Sequence, residues 1–419
     1  MDPVPGFKIS GPWLAEPETQ RALAVLNRDA EEARIVGGAV RNAVLQRPIA
    51  DVDIATTALP REAMRRLRNA GFKVIPTGIK HGTILAVAAG GGLEITTLRE
   101  DLVTDGRHAV VAFGRSWLKD ASRRDFTMNA LYCDADGTVY DPVGGLTDCL
   151  ENRVRFIGDP DKRLAEDTLR LLRFFRFFAA YGAGEPDPAG LAACIRARHG
   201  MTRISAERIA QETRKLLLAG GAVAACRAFA ASGLAQPVFA SAPNTAVFSN
   251  LLALSADSAT PYRFETALAA FLGHGPDDAD KLSDRLKLSN AERKFLGAIC
   301  RIGYGAWHGD LPEEAELRHV VVDYGKQAAE QALMLAAARS RSRGADRLAG
   351  LLQFLRTFDP PDFPLRGQDL IDQGLSAGPE FGALLKRAEA LWRREDYAMS
   401  RSELLLHIRR WAAEDRQKR

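Results

Sequence analysis

A chain of 419 residues with 46% hydrophobic and 26% charged residues is too long for one ordinary core and too apolar for global disorder, so two to four packed units of roughly 100–200 residues each are expected. The net charge of +4 suits an anionic partner without requiring one, and five widely spaced cysteines with no CxxC pair argue against a disulfide framework or a zinc site and for a reducing cytoplasm. The N-terminus MDPVPGFKIS has no basic segment leading into an apolar one, and no apolar run approaches the ~20 residues of a membrane helix, so neither secretion nor membrane spanning is expected.

Up to about residue 145, β-like runs alternate with helix-like ones. Ile35-Val36 reads as a strand end, Gly37-Gly38 as a tight turn, and Ala39 to Leu45 as a helix start. Free N–H groups at such a start can hold phosphate oxygens, and Arg41 would add a positive fork. Read alone, the glycine pair is also compatible with an ordinary strand-to-helix turn.

Asp51 and Asp53 follow in DVDIA. Alternation along a strand places positions i and i+2 on one face, so both carboxylates would point one way while Val52 and Ile54 enter a core. Adjacent like charges favour a neutralising cation, and hard oxygen ligands favour Mg²⁺. A solvated strand face is the bland alternative. Gly90 to Gly92 reads as a hairpin turn between TILAVAA and LEITTLR, and Glu94 in the second strand is a candidate third carboxylate. Two-metal phosphoryl transfer needs such a cluster.

From about residue 160 the spacing predicts helices: DKRLAEDTLRLLRFFRFFAAY, SAERIAQETRKLLLA, ETALAAFL and ALLKRAEALWRR carry apolar residues at three- and four-residue intervals. GAGEPDP, SAPN, GHGPDD and FDPPDFP mark breaks. The fold class is therefore α+β, a small mixed-sheet region followed by an all-helical remainder.

Four segments in order carry a resemblance. Gly37-Gly38-Ala39-Val40-Arg41 with Asp51-Val52-Asp53, Arg123-Arg124-Asp125-Phe126-Thr127-Met128-Asn129-Ala130-Leu131, the run from Glu166 to Phe177, and Ile204-Ser205-Ala206-Glu207-Arg208-Ile209 resemble the motifs of the class II tRNA nucleotidyltransferase and bacterial poly(A) polymerase family. A weaker likeness to a tail motif lies at Gly367-x-Asp369-Leu370 and Gly378-Pro379-x-x-Gly382. Asn42 departs from the aspartate usual after Val-Arg, which puts a charge at that position in doubt.

The resemblance implies a nucleotidyltransferase head (1–145), then a helical neck (146–220), body (221–360) and tail (361–419), with tRNA, CTP and ATP as partners. It implies that Arg124 binds the nucleotide, with Asp125 and Asn129 near the ribose, and that Asp167 and Arg170 recognise the incoming base. On a helix, positions three apart are neighbours, so Asp167 and Arg170 would face the base together as acceptor and donor. A surface ion pair is the alternative without the resemblance. Arg173 and Arg176 continue the series and would reach the triphosphate or the RNA end, unless they are only solvated charge.

Within the family, GFKVIPTGIKHGTILAV lacks the basic-aromatic insertion common in poly(A) polymerases and looks like the CCA-adding form. A poly(A) polymerase, a CC- or A-adding enzyme and an inactive RNA-binding protein are the competing readings. The loop that switches from C to A is expected near Asp105-Gly106-Arg107. The seven histidines form no HxxxH or His-Asp pair, so no metal phosphohydrolase domain is expected, and His81 and His108 read as ordinary surface or packing residues. No feature points to a protein partner.

Overall fold

The computed structural model describes residues 1–88, 91–104, 109–307, 311–340, 345–373 and 379–417. Gly90, Asp105, Gly106, Arg107, His108 and Gly378, and with them the proposed switching loop, lie outside the described residues. The chain divides into two compact units, Met1–Thr245 with Leu282–Ser289, and Ala246–Lys281 with Asn290–Arg419.

The first unit carries the sheet. Among the described residues ten strands run in chain order as β1 Pro3–Lys8, β2 Ala33–Val36, β3 Asp53–Thr56, β4 Lys73–Gly78, β5 Thr83–Ala88, β6 Gly91–Thr97, β7 Arg99–Thr104, β8 Ala109–Phe113, β9 Tyr132–Cys133 and β10 Thr138–Tyr140. Eight form one sheet in the order β1-β10-β9-β2-β3-β6-β5-β4, while β7 and β8 pair separately. β5 and β6 are antiparallel neighbours as expected, but Gly91 and Gly92, read as turn residues, lie in β6 opposite Ala88 and Val87. β3 pairs antiparallel with β2 and parallel with β6. The core on which β2 and β3 rest includes Val36, Ala55, Trp117, Ala130, Tyr132 and Ile157.

Helices of the same unit then close over this sheet through aromatic packing. Phe126, in the RRDFTMNAL segment, lies 4.8 Å from the Phe177 ring and 5.0 Å from Phe156. Phe174 stacks on Phe156 at 5.5 Å, and Phe175 meets Phe229 edge-on at 5.0 Å. The helix Arg170–Tyr181 therefore buries Phe174, Phe175, Phe177 and Phe178, which at ~1.5–3 kcal/mol per large apolar side chain fixes it firmly. Its arginines are carried on the remaining face.

Every regular element among the described residues of the second unit is a helix. Gln331 is its buried polar tie: Oε1 accepts from the Arg263 backbone N–H at 3.0 Å and the Thr266 hydroxyl at 2.6 Å, and Nε2 donates to the Pro261 carbonyl at 3.0 Å. Near the C-terminus, Leu365, Leu370, Leu384, Trp392, Leu404 and Ile408 form a core of their own.

Among the described residues no helix is long and apolar enough to cross a membrane. All five cysteines are buried free thiols.

Candidate active site

A strand-to-helix turn opens the site. β2 ends at Val36, Gly37 takes φ +74°, and a helix runs over Gly38–Val44, as the sequence predicts. The left-handed φ favours glycine. A Cβ on Gly37 would also lie 3.6 Å from the Arg124 guanidinium.

The strand reading of the carboxylates needs a correction. β3 begins at Asp53, so Asp51 lies in the irregular segment before it, and strand alternation does not set their common face. Asp53 lines a cavity of about 470 Å³, whereas Asp51 lines a separate one of about 260 Å³ with Trp13, Ile49 and Val52. Glu94 stands in parallel register with Asp53. Partial desolvation and then the Glu94 carboxylate raise the Asp53 pKa, Arg124 opposes them, and Asp51 adds to the rise. Asp53 thus feels both other carboxylates. Yet among the described residues no three His, Cys, Asp or Glu side chains are gathered as a ready metal cage; Glu94 stands beside Asp53 without completing one.

The larger cavity brings together Gly37, Gly38, Arg41, Asp53, Arg124, Asp125, Asn129, Asp167, Leu169, Arg170, Arg173, Phe177 and Arg208. Its volume is that of a small-molecule site. Five arginines face three aspartates there, a surplus of positive charge suited to an anion. Among the expected residues, Asp51, Glu94 and Arg176 are not in its wall.

Arg124 is held by a carboxylate that sequence reasoning missed. Asp120 accepts from Arg124 at 3.0 and 3.3 Å, from Arg123 at 2.7 and 2.9 Å, and from the Tyr132 hydroxyl at 2.9 Å. Burial by itself would raise the Asp120 pKa, but the charges of Arg124 and Arg123 hold it below the ordinary value. The i+3 and i+4 spacing to both arginines is the signal that was available.

Arg41 is not an open fork. Its guanidinium is buried, donates to Asn129 Oδ1 at 2.5 Å and the Tyr181 hydroxyl at 2.6 Å, and lies 3.9 Å from the Tyr181 ring centroid. Asn129 in turn donates to Asp125 Oδ1 at 2.9 Å, and Arg173 Nε donates to Asp125 Oδ2 at 2.8 Å. Burial would raise the Asp125 pKa, yet Arg173, Asn129 and the Phe126 N–H keep it low. This network joins the turn, the RRDFTMNAL segment and the helix Arg170–Tyr181 into one wall.

Arg176 departs from expectation: it lies 2.6 Å from Glu212 Oε2 and 4.3 Å from the Phe177 centroid. Arg173 also reaches Glu212, at 3.5 Å. The buried Glu212, on the helix Ala206–Leu217, thus draws Arg176 away from the cavity.

Asp167 and Arg170 are not on one helix face, which is the second correction. One helix ends at Glu166, Asp167 is extended at φ −152° and ψ 103°, and the next helix begins at Arg170. Asp167 Oδ1 accepts from the Leu169 N–H at 3.1 Å, an Asx turn that interrupts the helical periodicity. Arg170 donates instead to the Arg163 carbonyl at 2.9 Å, to Glu166, and to the Arg123 carbonyl at 3.3 Å. Both side chains nevertheless line the cavity. Gly200 makes room for the turn, since a Cβ there would come within 2.5 Å of Thr168 Oγ1.

The poly(A) polymerase head-domain family matches residues 33–155, and the probable RNA and SrmB-binding region of polymerase A matches residues 185–248. The mitochondrial CCA tRNA nucleotidyltransferase 1 of Danio rerio is 34% identical over 91% of this chain and 88% of its own length. This chain belongs to the tRNA nucleotidyltransferase family. The CCA-adding enzyme of Streptococcus pyogenes serotype M1 is likewise 34% identical, over 89% of this chain and 92% of its own. The crystal structure of the Bacillus stearothermophilus CCA-adding enzyme in complex with CTP matches with a TM-score of 0.74 at 29% identity, covering 96% of this chain and all 100% of that one. The head and helical domains expected from the motifs are those of this fold, and a divalent metal is typical of the family.

Proposed function

We propose that the chain adds C, C and A to the 3′ end of tRNA from CTP and ATP, without a nucleic-acid template and with release of pyrophosphate. The observation that carries this reading is one cavity lined by Asp53, Arg124, Asp167 and Arg170, with Arg124 held from behind by the buried Asp120. We assign residues 1–145 to the catalytic head, 146–220 to the neck, 221–360 to the body and 361–419 to a tRNA-binding tail. The sheet, whose described strands all lie before Asp141, and the separate core around Trp392 support that division.

Hard oxygen donors, carboxylates that press on Asp53, and a cavity whose described lining holds no Cys or His fit Mg²⁺. Asp51 and Asp53 would hold it, with Glu94 beside them. When bound, Mg²⁺ supplies charge neutralisation at the phosphates and activation of the attacking hydroxyl. The chain's own residues do the rest. Arg124 lends the triphosphate a charge fixed by Asp120, Gly37 and Gly38 let the backbone approach, and Asp125 and Asn129 stand at the wall where the ribose hydroxyls would lie.

Base choice follows from hydrogen-bond order. Cytosine and adenine each present an amino donor beside an unprotonated ring nitrogen, matching an Asp167 acceptor and an Arg170 donor. Uracil and guanine present the reverse and leave both groups mispaired. Burial pushes the Cys149 thiol up to about 11, and the five buried thiols support a reducing, cytoplasmic setting.

The test offers purified protein tRNA lacking CCA, CA or A, with CTP alone, ATP alone or both. Stepwise addition that halts after the final A supports the reading. Long A tails from ATP alone indicate a poly(A) polymerase, and no incorporation indicates an inactive RNA-binding protein.

A further inference from the structure

Asp167 has no helical geometry to hold it, yet base reading requires a carboxylate in one fixed orientation. Two contacts supply that orientation. Leu169 donates its N–H to Oδ1 at 3.1 Å, and Arg208 donates Nη2 to Oδ2 at 2.6 Å. Arg208 lies 41 residues further along the chain, in the first turn of the helix Ala206–Leu217. It lines the same cavity as Asp167. The side chains are only 29% and 18% exposed, so the pair is shielded by the cavity wall.

We propose that Arg208 is a positioning residue for base selection: it acts through Asp167, locking the carboxylate so that it presents only an acceptor to the amino group of the incoming base. The proposal rests on the base-reading role of Asp167 given above. Of the carboxylate's roughly four acceptor directions, the Leu169 N–H and the Arg208 guanidinium take one on each oxygen, leaving a direction on each for the base and none free to rotate into another arrangement. A guanidinium is a planar, always-charged fork and fixes the plane of its partner, which an ammonium does not do. Without Arg208, the local turn contact is the side-chain hydrogen bond left to Asp167, and its second oxygen can turn away from the base. The amino group of cytosine then loses its partner and the O4 carbonyl of uracil no longer meets a fixed acceptor. Because the two pyrimidines are the same size, CTP against UTP is the sharpest comparison.

The experiment measures single-nucleotide addition to tRNA lacking its terminal residues, with CTP, ATP, UTP and GTP supplied separately, for wild type, Arg208→Gln, Arg208→Lys, Asp167→Ala and Asp167→Ala/Arg208→Gln. Melting temperature and tRNA binding are recorded for each. Arg208→Gln is expected to lower the kcat/KM ratio of CTP over UTP by about tenfold or more while melting and tRNA binding stay close to wild type, a loss of ~1.4 kcal/mol in discrimination. Arg208→Lys should fall between. In the Asp167→Ala background the Arg208 substitution should lower the ratio no further, because coupled residues are non-additive. An Arg208→Gln variant that slows all four nucleotides equally, or a double variant whose loss is the product of the two single losses, overturns the proposal. Should Arg208→Gln fail to fold, Arg208→Lys carries the test, and a wild-type ratio in that variant is the overturning result. Preference lost in Asp167→Ala but kept in both Arg208 variants sinks only the role of Arg208; preference kept in Asp167→Ala sinks the base-reading role of Asp167 as well.

Discussion

Asn42 shares Arg41 with Tyr181: its Oδ1 accepts from Arg41 Nε at 3.1 Å and at 2.9 Å from Nη2, which also donates to the Tyr181 hydroxyl, while the Asn42 Nδ2 donates to the Pro48 carbonyl at 2.8 Å. An aspartate, usual here in relatives, would keep the first contact and lose the second. The amide thus ties the cavity wall to the segment that leads into Asp51 and Asp53. Asn42→Asp is expected to stay within about tenfold of wild-type kcat/KM, ~1.4 kcal/mol, because the charged acceptor still holds Arg41. Asn42→Leu leaves both Arg41 and the Pro48 carbonyl short of a partner and should cost more. Steady-state CTP addition decides between them, and a leucine variant as active as the aspartate one refutes the tie.

Asp53 offers a test of metal binding that does not depend on activity alone. A carboxyl whose pKa is raised on folding binds its proton more tightly folded than unfolded, so its stabilisation is present at low pH and lost as pH rises through the folded value. At pH 7 without divalent cation, Asp53→Asn should therefore melt slightly higher than wild type, the effect being small because solvent reaches the side chain. Added Mg²⁺ should raise the wild-type melting temperature and leave the variant nearly unchanged. Nucleotide addition by the variant should be almost nil; activity within about tenfold of wild type would be too small a loss for a metal ligand.

Asp120 carries a structural prediction. It is 1% exposed and faces both Arg123 and Arg124, and removing one partner of a buried ion pair costs ~3–5 kcal/mol. Asp120→Ala should lower unfolding free energy by roughly that amount, seen as an earlier midpoint in urea. Asp120 and Asp125 both have pKa values held below the ordinary 3.8. Their stabilisation is complete above that value and is lost as pH falls below it. Melting temperatures measured from pH 7 down to pH 3 should drop steeply only at the acid end, and less steeply in an Asp125→Asn variant.

Asp167→Ala should cost discrimination as well as rate. An unpaired buried amino group costs ~1–3 kcal/mol, so preference for C and A over U and G should fall by roughly one to two orders of magnitude. Arg170→Ala should act in the same direction but also release Glu166, its partner in the helix above. Additions slowed equally for all four nucleotides would assign base choice to other residues.

The tail has its own core, from Leu365 to Ile408, and is joined to the helix Glu314–Tyr324 by Arg393–Asp323, Arg318–Asp396 and a 2.7 Å contact between the Tyr397 hydroxyl and His319 Nδ1. Deletion after residue 360 should weaken tRNA binding more than CTP binding, and the lost affinity should be its salt-dependent part. Equal tRNA affinity in the truncated protein, measured at two salt concentrations, would make the tail structural.

The parts whose physics is local were legible in the residues alone. The Gly37-Gly38 turn, the antiparallel strands around Gly91, and the change from sheet to helices all follow from short-range periodicity and backbone freedom. Motif order alone gathered ten of the residues that line one cavity, because a motif records the site and not only the element carrying it. Tertiary structure decided which charges hold which. Periodicity carried the helix straight through Asp167, but the Asp167 side chain prefers its own Asx turn, and its partner Arg208 comes from a different helix. Arg173 and Arg176 read as one stripe along a helix, yet Asp125 draws one into the cavity wall and Glu212 draws the other out of it. Asp120 offered only its i+3 and i+4 spacing to Arg123 and Arg124, because its burial against Tyr132 exists only after β9 has joined the sheet. Long-range ion pairs are chosen by which elements pack together, and no spacing in the sequence encodes that choice.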